Sequence, residues 1–189
     1  MSGYTALLDA NILYPAPMRD LFLQLAVTDL FRARWTVDIH SEWIEALLRN
    51  QPSRNRADLE KTRDKMNQAT RDCLIDNYRD LIPSLELPDP DDRHVLAAAI
   101  VGRCDVIVTQ NIRDFPEDIV GGYGLDLQHP DQFLCNQLDL APGLFCNAVK
   151  KIRARLKKPP LSVKEYLANL THQGLVATVA ELEQFSDLL

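Results

Sequence analysis

Asp9 stands directly after a short apolar run, Tyr4 to Leu8. Asn111 and Asp114 stand just after a second run, which ends at Thr109. Asp92 opens the apolar segment that feeds that second run, and Glu42 lies between the two. None of these groups is a histidine or a cysteine. A set of oxygen donors suits a hard divalent ion, Mg²⁺ or Mn²⁺. Carboxylates packed together repel one another, and a cation among them keeps them ionised. Such an ion lowers the pKa of a bound water and stabilises the charge that grows on a phosphodiester. The chemistry these residues point to is hydrolysis at a phosphate.

The elements that would position them follow from the hydrophobic pattern. Tyr4 to Leu8 reads as a buried strand. Pro17 marks a helix start, with Leu21, Phe22, Leu25 and Ala26 on one face. A second helix is expected from about Val37 to Arg49. The charged stretch from Gln51 to Arg71 reads as a solvent-facing helix. Asp89 is an N-cap with Pro90 in the first turn behind it; that helix runs through Val95, Leu96, Ala99 and Ile100 and stops at Gly102. Asp105 to Thr109 is a short buried strand, Gln110 to Pro116 a loop, Gly121 to Gln128 a turn and last strand, and Pro130 to Leu138 a helix.

Alternating apolar strands and helices predict a parallel sheet covered on both faces. In such a sheet ligands bind at the carboxyl ends of the strands, which is where Asp9, Asn111 and Asp114 fall. After about Leu140 the pattern is helical only. Leu144 to Lys158 is one helix, Ser162 to Glu165 is a capping box that opens another, and Gly174 precedes a last one, Leu175 to Phe185. The expected division is a nuclease-like domain over 1–138 and a helical extension over 139–189.

Each residue singled out has a plainer role open to it. Asp9, Asn111 and Asp114 are common turn residues. Asp92 is also a helix-opening acid that favours the dipole. Glu42 and Glu45 are three apart, and either serves as a surface acid. The joint placement carries the chemical reading.

Composition sets the outer bounds. The chain has 189 residues, 46% of them apolar and 25% charged, as expected for an ordinary globular protein. A net charge of −6 argues against a protein that coats nucleic acid over its whole surface. Cys73, Cys104, Cys135 and Cys146 form no C-x-x-C pair, and most sit among apolar neighbours as core residues of a reducing compartment. No apolar run is long enough to span a membrane and no signal peptide is evident, so a cytoplasmic protein is expected. Lys150, Lys151, Arg153, Arg155, Lys157 and Lys158 form the strongest basic segment and are candidates for RNA phosphate contact, although an amphipathic helix explains much of the pattern. The apolar stretch from Phe22 to Trp43 is either core or a docking groove.

The residues carry a family resemblance. Leu-Leu-Asp9-Ala-Asn11-Ile-Leu13, Ser41-Glu42-Trp43-Ile44, Asp89-Pro-Asp-Asp92-Arg-His-Val-Leu-Ala-Ala-Ala99 and Val-Thr109-Gln-Asn111-Ile-Arg-Asp114-Phe115 resemble a PIN domain of the VapC type. The resemblance covers roughly residues 4 to 135. It implies a three-layer α/β/α sandwich around a parallel sheet, with an all-helical C-terminal extension. It further implies a Mg²⁺-dependent (or Mn²⁺-dependent) endoribonuclease, the toxin of a toxin–antitoxin pair, with RNA as substrate, a cognate antitoxin as partner and a homodimer as a usual assembly. Carried over residue by residue, it makes Asp9, Asp92 and Asp114 metal ligands. Glu42 becomes the second acid in preference to Glu45, and Thr109 and Asn111 position substrate.

Three further classes compete. A catalytically inactive module of the same fold would bind RNA or a partner without cutting. A phosphatase that uses an Asp after its first strand needs a second Asp two residues on, where this chain has Asn11. A DNA-acting flap nuclease would carry more carboxylates than Asn111 allows.

Overall fold

A computed structural model describes residues 3–189. The chain runs β1 (Thr5–Leu8), α1 (Ala10–Leu13), α2 (Ala16–Val27), β2 (Arg32–Arg34), α3 (Val37–Asn50) and α4 (Arg56–Ala69). Two 3-10 turns, Arg79–Ser84 and Pro90–Asp92, lead into α5 (Arg93–Val101) and β3 (Val106–Val108). A third turn, Ile112–Asp114, precedes α6 (Glu117–Gly122) and β4 (Asp126–Gln128). Four helices follow: α7 (Pro130–Leu140), α8 (Pro142–Arg155), α9 (Val163–His172) and α10 (Val176–Leu182).

The sheet is parallel throughout, in the order β2-β1-β3-β4. Every side chain of β1 and β3 is buried, so both faces are covered. The chain leaves β1 toward one edge and returns past it to β3 and β4. Right-handed crossovers therefore set α2 on one face and α3 to α6 on the other. The direction of winding reverses between β1 and β3, and the crevice outside their carboxyl ends is the expected ligand position.

The expected parallel α/β fold with a helical tail is the one observed, with corrections in detail. The edge strand β2 carries no hydrophobic pattern of its own; its sequence is Arg-Ala-Arg, and only Ala33 is fully buried. It is held by pairing with β1 rather than by a legible period. The loop expected from Gln110 to Pro116 contains a 3-10 turn, and α6 follows it unannounced. Asp89 does cap, accepting from the Asp91 N–H at 2.9 Å, but it caps a 3-10 turn, and the α-helix starts at Arg93. Gly102 ends α5 without a left-handed φ. A side chain there would press to 2.5 Å from Ile75 Cδ1 and 2.8 Å from the Ala98 carbonyl, so glycine is needed for close approach.

The large apolar side chains of the stretch from Phe22 to Trp43 are buried in the core. Leu21, Phe22, Leu25, Leu30, Phe31, Trp35 and Trp43 are all core. Phe22 and Phe31 meet Phe133 of α7 at centroid separations of 5.7 and 4.9 Å, the second edge to face. This aromatic cluster seats α7 over the α2 face of the sheet.

In the tail, α8 begins earlier and ends earlier than its periodicity suggests. Its buried side is Phe145, Ala148, Val149 and Ile152, while Leu144 is largely exposed. The capping box at Ser162 and Glu165 is complete. The cysteines are free thiols, with Cys73, Cys104 and Cys146 buried. Among the described residues no helix is long and apolar enough to cross a membrane.

One carboxylate fastens the end of the tail. Asp131, in the first turn of α7, accepts from the N–H groups of Ala177 and Thr178 at 2.8 Å each and from the Thr178 hydroxyl at 2.7 Å. It satisfies the open N–H groups of α10, as a cap supplied from another helix would. Asp131→Ala is predicted to cost about 1–3 kcal/mol in urea unfolding, because buried donors lose their acceptor. An unchanged midpoint would contradict this clamp.

Candidate active site

Asp9 is 5% exposed and sits where β1 ends. Its N–H extends the ladder to the Val108 carbonyl (3.1 Å), so the backbone places it beside the end of β3. Its side chain caps α1. One carboxylate oxygen accepts from the Ala10 N–H at 2.6 Å. The other accepts from the Thr109 hydroxyl at 2.6 Å and from the Asn11 amide at 2.7 Å. Thr109, fully buried, also accepts from Asn11 (2.9 Å) and from the Asn111 N–H (3.0 Å). Asn11 in turn accepts from the Gln110 N–H at 3.1 Å. The carboxyl ends of β1 and β3 are thus laced together around one carboxylate.

Loss of water pushes the Asp9 carboxyl upward in pKa, and the bonds from Thr109 and Ala10 pull it back. Asp92, half-buried at the mouth of α5, is pushed up to about 7. Burial is the larger cause; repulsion from Asp9, Asp89 and Asp114 adds to it. The fold therefore brings Asp92 within range of the charges of Asp9 and Asp114. Asp114 closes the turn after Asn111 and is half-buried, whereas Asn111 is exposed and its backbone rather than its side chain touches Thr109.

Glu42 comes from α3. Thr36 caps that helix, and its buried stripe is Ile39, His40, Trp43, Ile44 and Leu47. Glu42 lies at the edge of the stripe and meets His94 Nε2 at 2.6 Å. Burial disfavours charge on His94, yet the Glu42 carboxylate, helped by Asp38 and Asp9, outweighs it and holds the imidazole above its ordinary pKa. Glu45 turns to Arg56, at 2.8 Å. Of the two acids the sequence left open, Glu42 is the one coupled to Asp9.

Two residues at this site escaped the reading of the sequence. Asn11 and His94 each stand two positions after an acid, Asp9 and Asp92, and that proximity was their one signal. The basic segment needs correction as well. Arg153 is tied inward, donating to the Leu189 carbonyl (2.7 Å) and the Leu161 carbonyl (3.1 Å), and is no phosphate contact. Lys150, Lys151, Arg155, Lys157 and Lys158 are exposed.

Comparison with known proteins gives the family of the chain. Residues 5–113 match the family model described as PIN domain, which is more than half of the chain. The chain belongs to the PIN-domain family. Residues 130–184 match the VapC50 C-terminal domain, so the PIN domain here carries an extension of the VapC50 kind. "Putative ribonuclease VapC50" of Mycobacterium tuberculosis (strain ATCC 25618 / H37Rv) is 49% identical over 63 residues. That stretch is 33% of this chain and 37% of the relative. No solved structure matches.

The PIN-domain donor set fits a hydrated hard cation. All three carboxylates offer oxygen, and at Asp92 the repulsion from Asp9, Asp89 and Asp114 is only partly offset by His94. Among the described residues no group of three His, Cys, Asp or Glu side chains is drawn together closely enough to hold an ion unaided.

The raised Asp92 pKa has a sign that can be checked. An unfolded Asp92 ionises near 3.8, while the folded one holds its proton to about 7. Between these values the unfolded state sheds the proton first, so stability falls as pH rises. In EDTA, Asp92→Asn should melt higher than the parent at about pH 8 and nearly with it at about pH 4. Equal differences at both values would contradict the crowding of carboxylates.

Proposed function

We propose that this PIN-domain protein is a divalent-metal-dependent endoribonuclease and the toxin of a type II toxin–antitoxin pair. What supports the reading is that Asp9 follows β1, Asp114 follows β3 and Asp92 opens α5 at the winding reversal of a parallel sheet, with Asp92 raised by burial and by the charges of Asp9 and Asp114. The PIN family and the partial likeness to a protein named as a ribonuclease support it.

In this reading Asp9, Asp92 and Asp114 hold Mg²⁺ or Mn²⁺, and the ion supplies an activated water and charge neutralisation at the scissile phosphate. Thr109 and Asn11 fix the rotamer of Asp9, so its oxygens are aimed before any ligand arrives. Glu42, held by His94, is the fourth acid at the cleft and would serve there as a base. Asn111 presents an uncharged amide where a further acid would repel the phosphate. We also infer that residues 1–138 are the nuclease unit and 139–189 its extension, since Phe133 of α7 completes the aromatic core over the sheet. The antitoxin partner and any homodimer belong to the same reading. RNA is favoured over DNA because Asn111 replaces an additional carboxylate.

Purified protein incubated with total RNA is predicted to give discrete cuts with Mg²⁺ or Mn²⁺ and none with EDTA. Asp9→Asn should lower the rate by at least about a hundredfold while the protein stays folded. A folded Asp9→Asn protein that cuts as the parent does would overturn the assignment. Absence of cleavage with any divalent ion, by well-folded protein free of a partner, would favour the inactive binding module.

A further inference from the structure

The extension reaches the cleft. His172 ends α9 and Gln173 caps it. Both line a cavity of about 690 Å³, together with Asn11, Tyr14, Glu42 and Arg49 of the PIN domain. Asn11 and Glu42 are the residues that touch Asp9 and His94, so the cavity opens directly beside the acids. It is bounded by two parts of the chain and is incomplete without the second.

The placement follows from the packing of the tail. Tyr166 and Leu170 are buried and seat α9, which packs on α2 and α10. Gly174 then turns the chain with φ +87, a conformation other residues rarely adopt. A side chain at Gly174 would meet open space, so the glycine is needed for the turn and not for room. The turn ends α9 at the lip of the cleft and leaves His172 exposed and Gln173 partly so.

We propose that this cavity receives one nucleotide of single-stranded RNA next to the scissile bond, and that His172 and Gln173 read its base. This inference rests on the ribonuclease reading above. The volume lies within the range of sites that enclose a small ligand. Unstacked bases are recognised by an aromatic face and by side chains that donate and accept along their edges. Tyr14 supplies the ring, and the carboxamide of Gln173 and the imidazole of His172 supply both kinds of hydrogen-bonding group. Arg49 supplies the phosphate partner. No carboxylate among the described residues pairs with it, whereas Arg56 one turn beyond α3 is already taken by Glu45. In a chain of net charge −6 an unpaired guanidinium at the cleft is a specific attraction for the backbone.

The test uses the full chain and an RNA pool randomised on both sides of the cut. Cleavage products of the parent and of the His172→Ala/Gln173→Ala protein are mapped. The parent is expected to prefer one base at one position beside the cut. The double variant should lose that preference, with kcat/KM on the favoured sequence down about tenfold, the loss of one or two hydrogen bonds. In an Asp9→Asn background, which removes turnover, the same pair should weaken binding of the favoured oligonucleotide by a similar factor. Arg49→Ala there should weaken all sequences alike and reduce the salt dependence. A folded double variant that cuts the same positions at the same rate overturns the inference and leaves the ribonuclease reading standing. A parent that neither cuts nor binds RNA overturns both.

Discussion

The hydrogen bonds that converge on the Asp9 carboxylate are the constraint on which the rest of the site depends. Burying an acid at 5% exposure is costly unless its oxygens are satisfied. Here the Ala10 N–H, the Thr109 hydroxyl and the Asn11 amide satisfy it. Thr109 ends β3 and Asp9 ends β1, so the same bonds that make the burial tolerable also lock two strand ends together. The crevice at the winding reversal inherits its shape from this knot.

Electrostatics follow from the geometry. Asp92 arrives from the turn that opens α5 and Asp114 from the turn after β3, and the charges of Asp9 and Asp114 both reach Asp92. The result is an acidic focus in which burial first, and then the charges of Asp9, Asp89 and Asp114, push Asp92 up to about 7. Elsewhere in the chain acids such as Glu45 and Asp38 are paired with arginines, whereas at the cleft Glu42 is paired with His94. Such an arrangement lowers the stability of the fold at neutral pH, and in the proposed reading a cation would relieve it.

Much of this was legible in the sequence, for physical reasons. β1 and β3 are buried on both faces, so they read as unbroken apolar runs, and the residues just past them are ligand positions by the geometry of parallel sheets. The capping box at Ser162 and the cap at Asp89 were legible because caps are local. β2 was not, because an Arg-Ala-Arg edge strand owes its form to a neighbour. The apolar stretch from Phe22 to Trp43 had two readings, and only packing against Phe133 decides for core. Arg153 looked like one more cation in a basic run until its carbonyl partners, Leu161 and Leu189, came into place from far along the chain. The choice between Glu42 and Glu45 was closed to the sequence as well, since it turns on His94 and Arg56.

The central claim is that Asp9, Asp92 and Asp114 form one divalent-ion site. Binding of Mn²⁺ to the full chain, followed by electron paramagnetic resonance without any RNA, tests it most directly. The account predicts saturable binding by the parent, weakened at least about tenfold by Asp9→Asn and likewise by Asp92→Asn, a difference of ~1.4 kcal/mol or more. Equal Mn²⁺ affinity in the parent and both folded variants would contradict it.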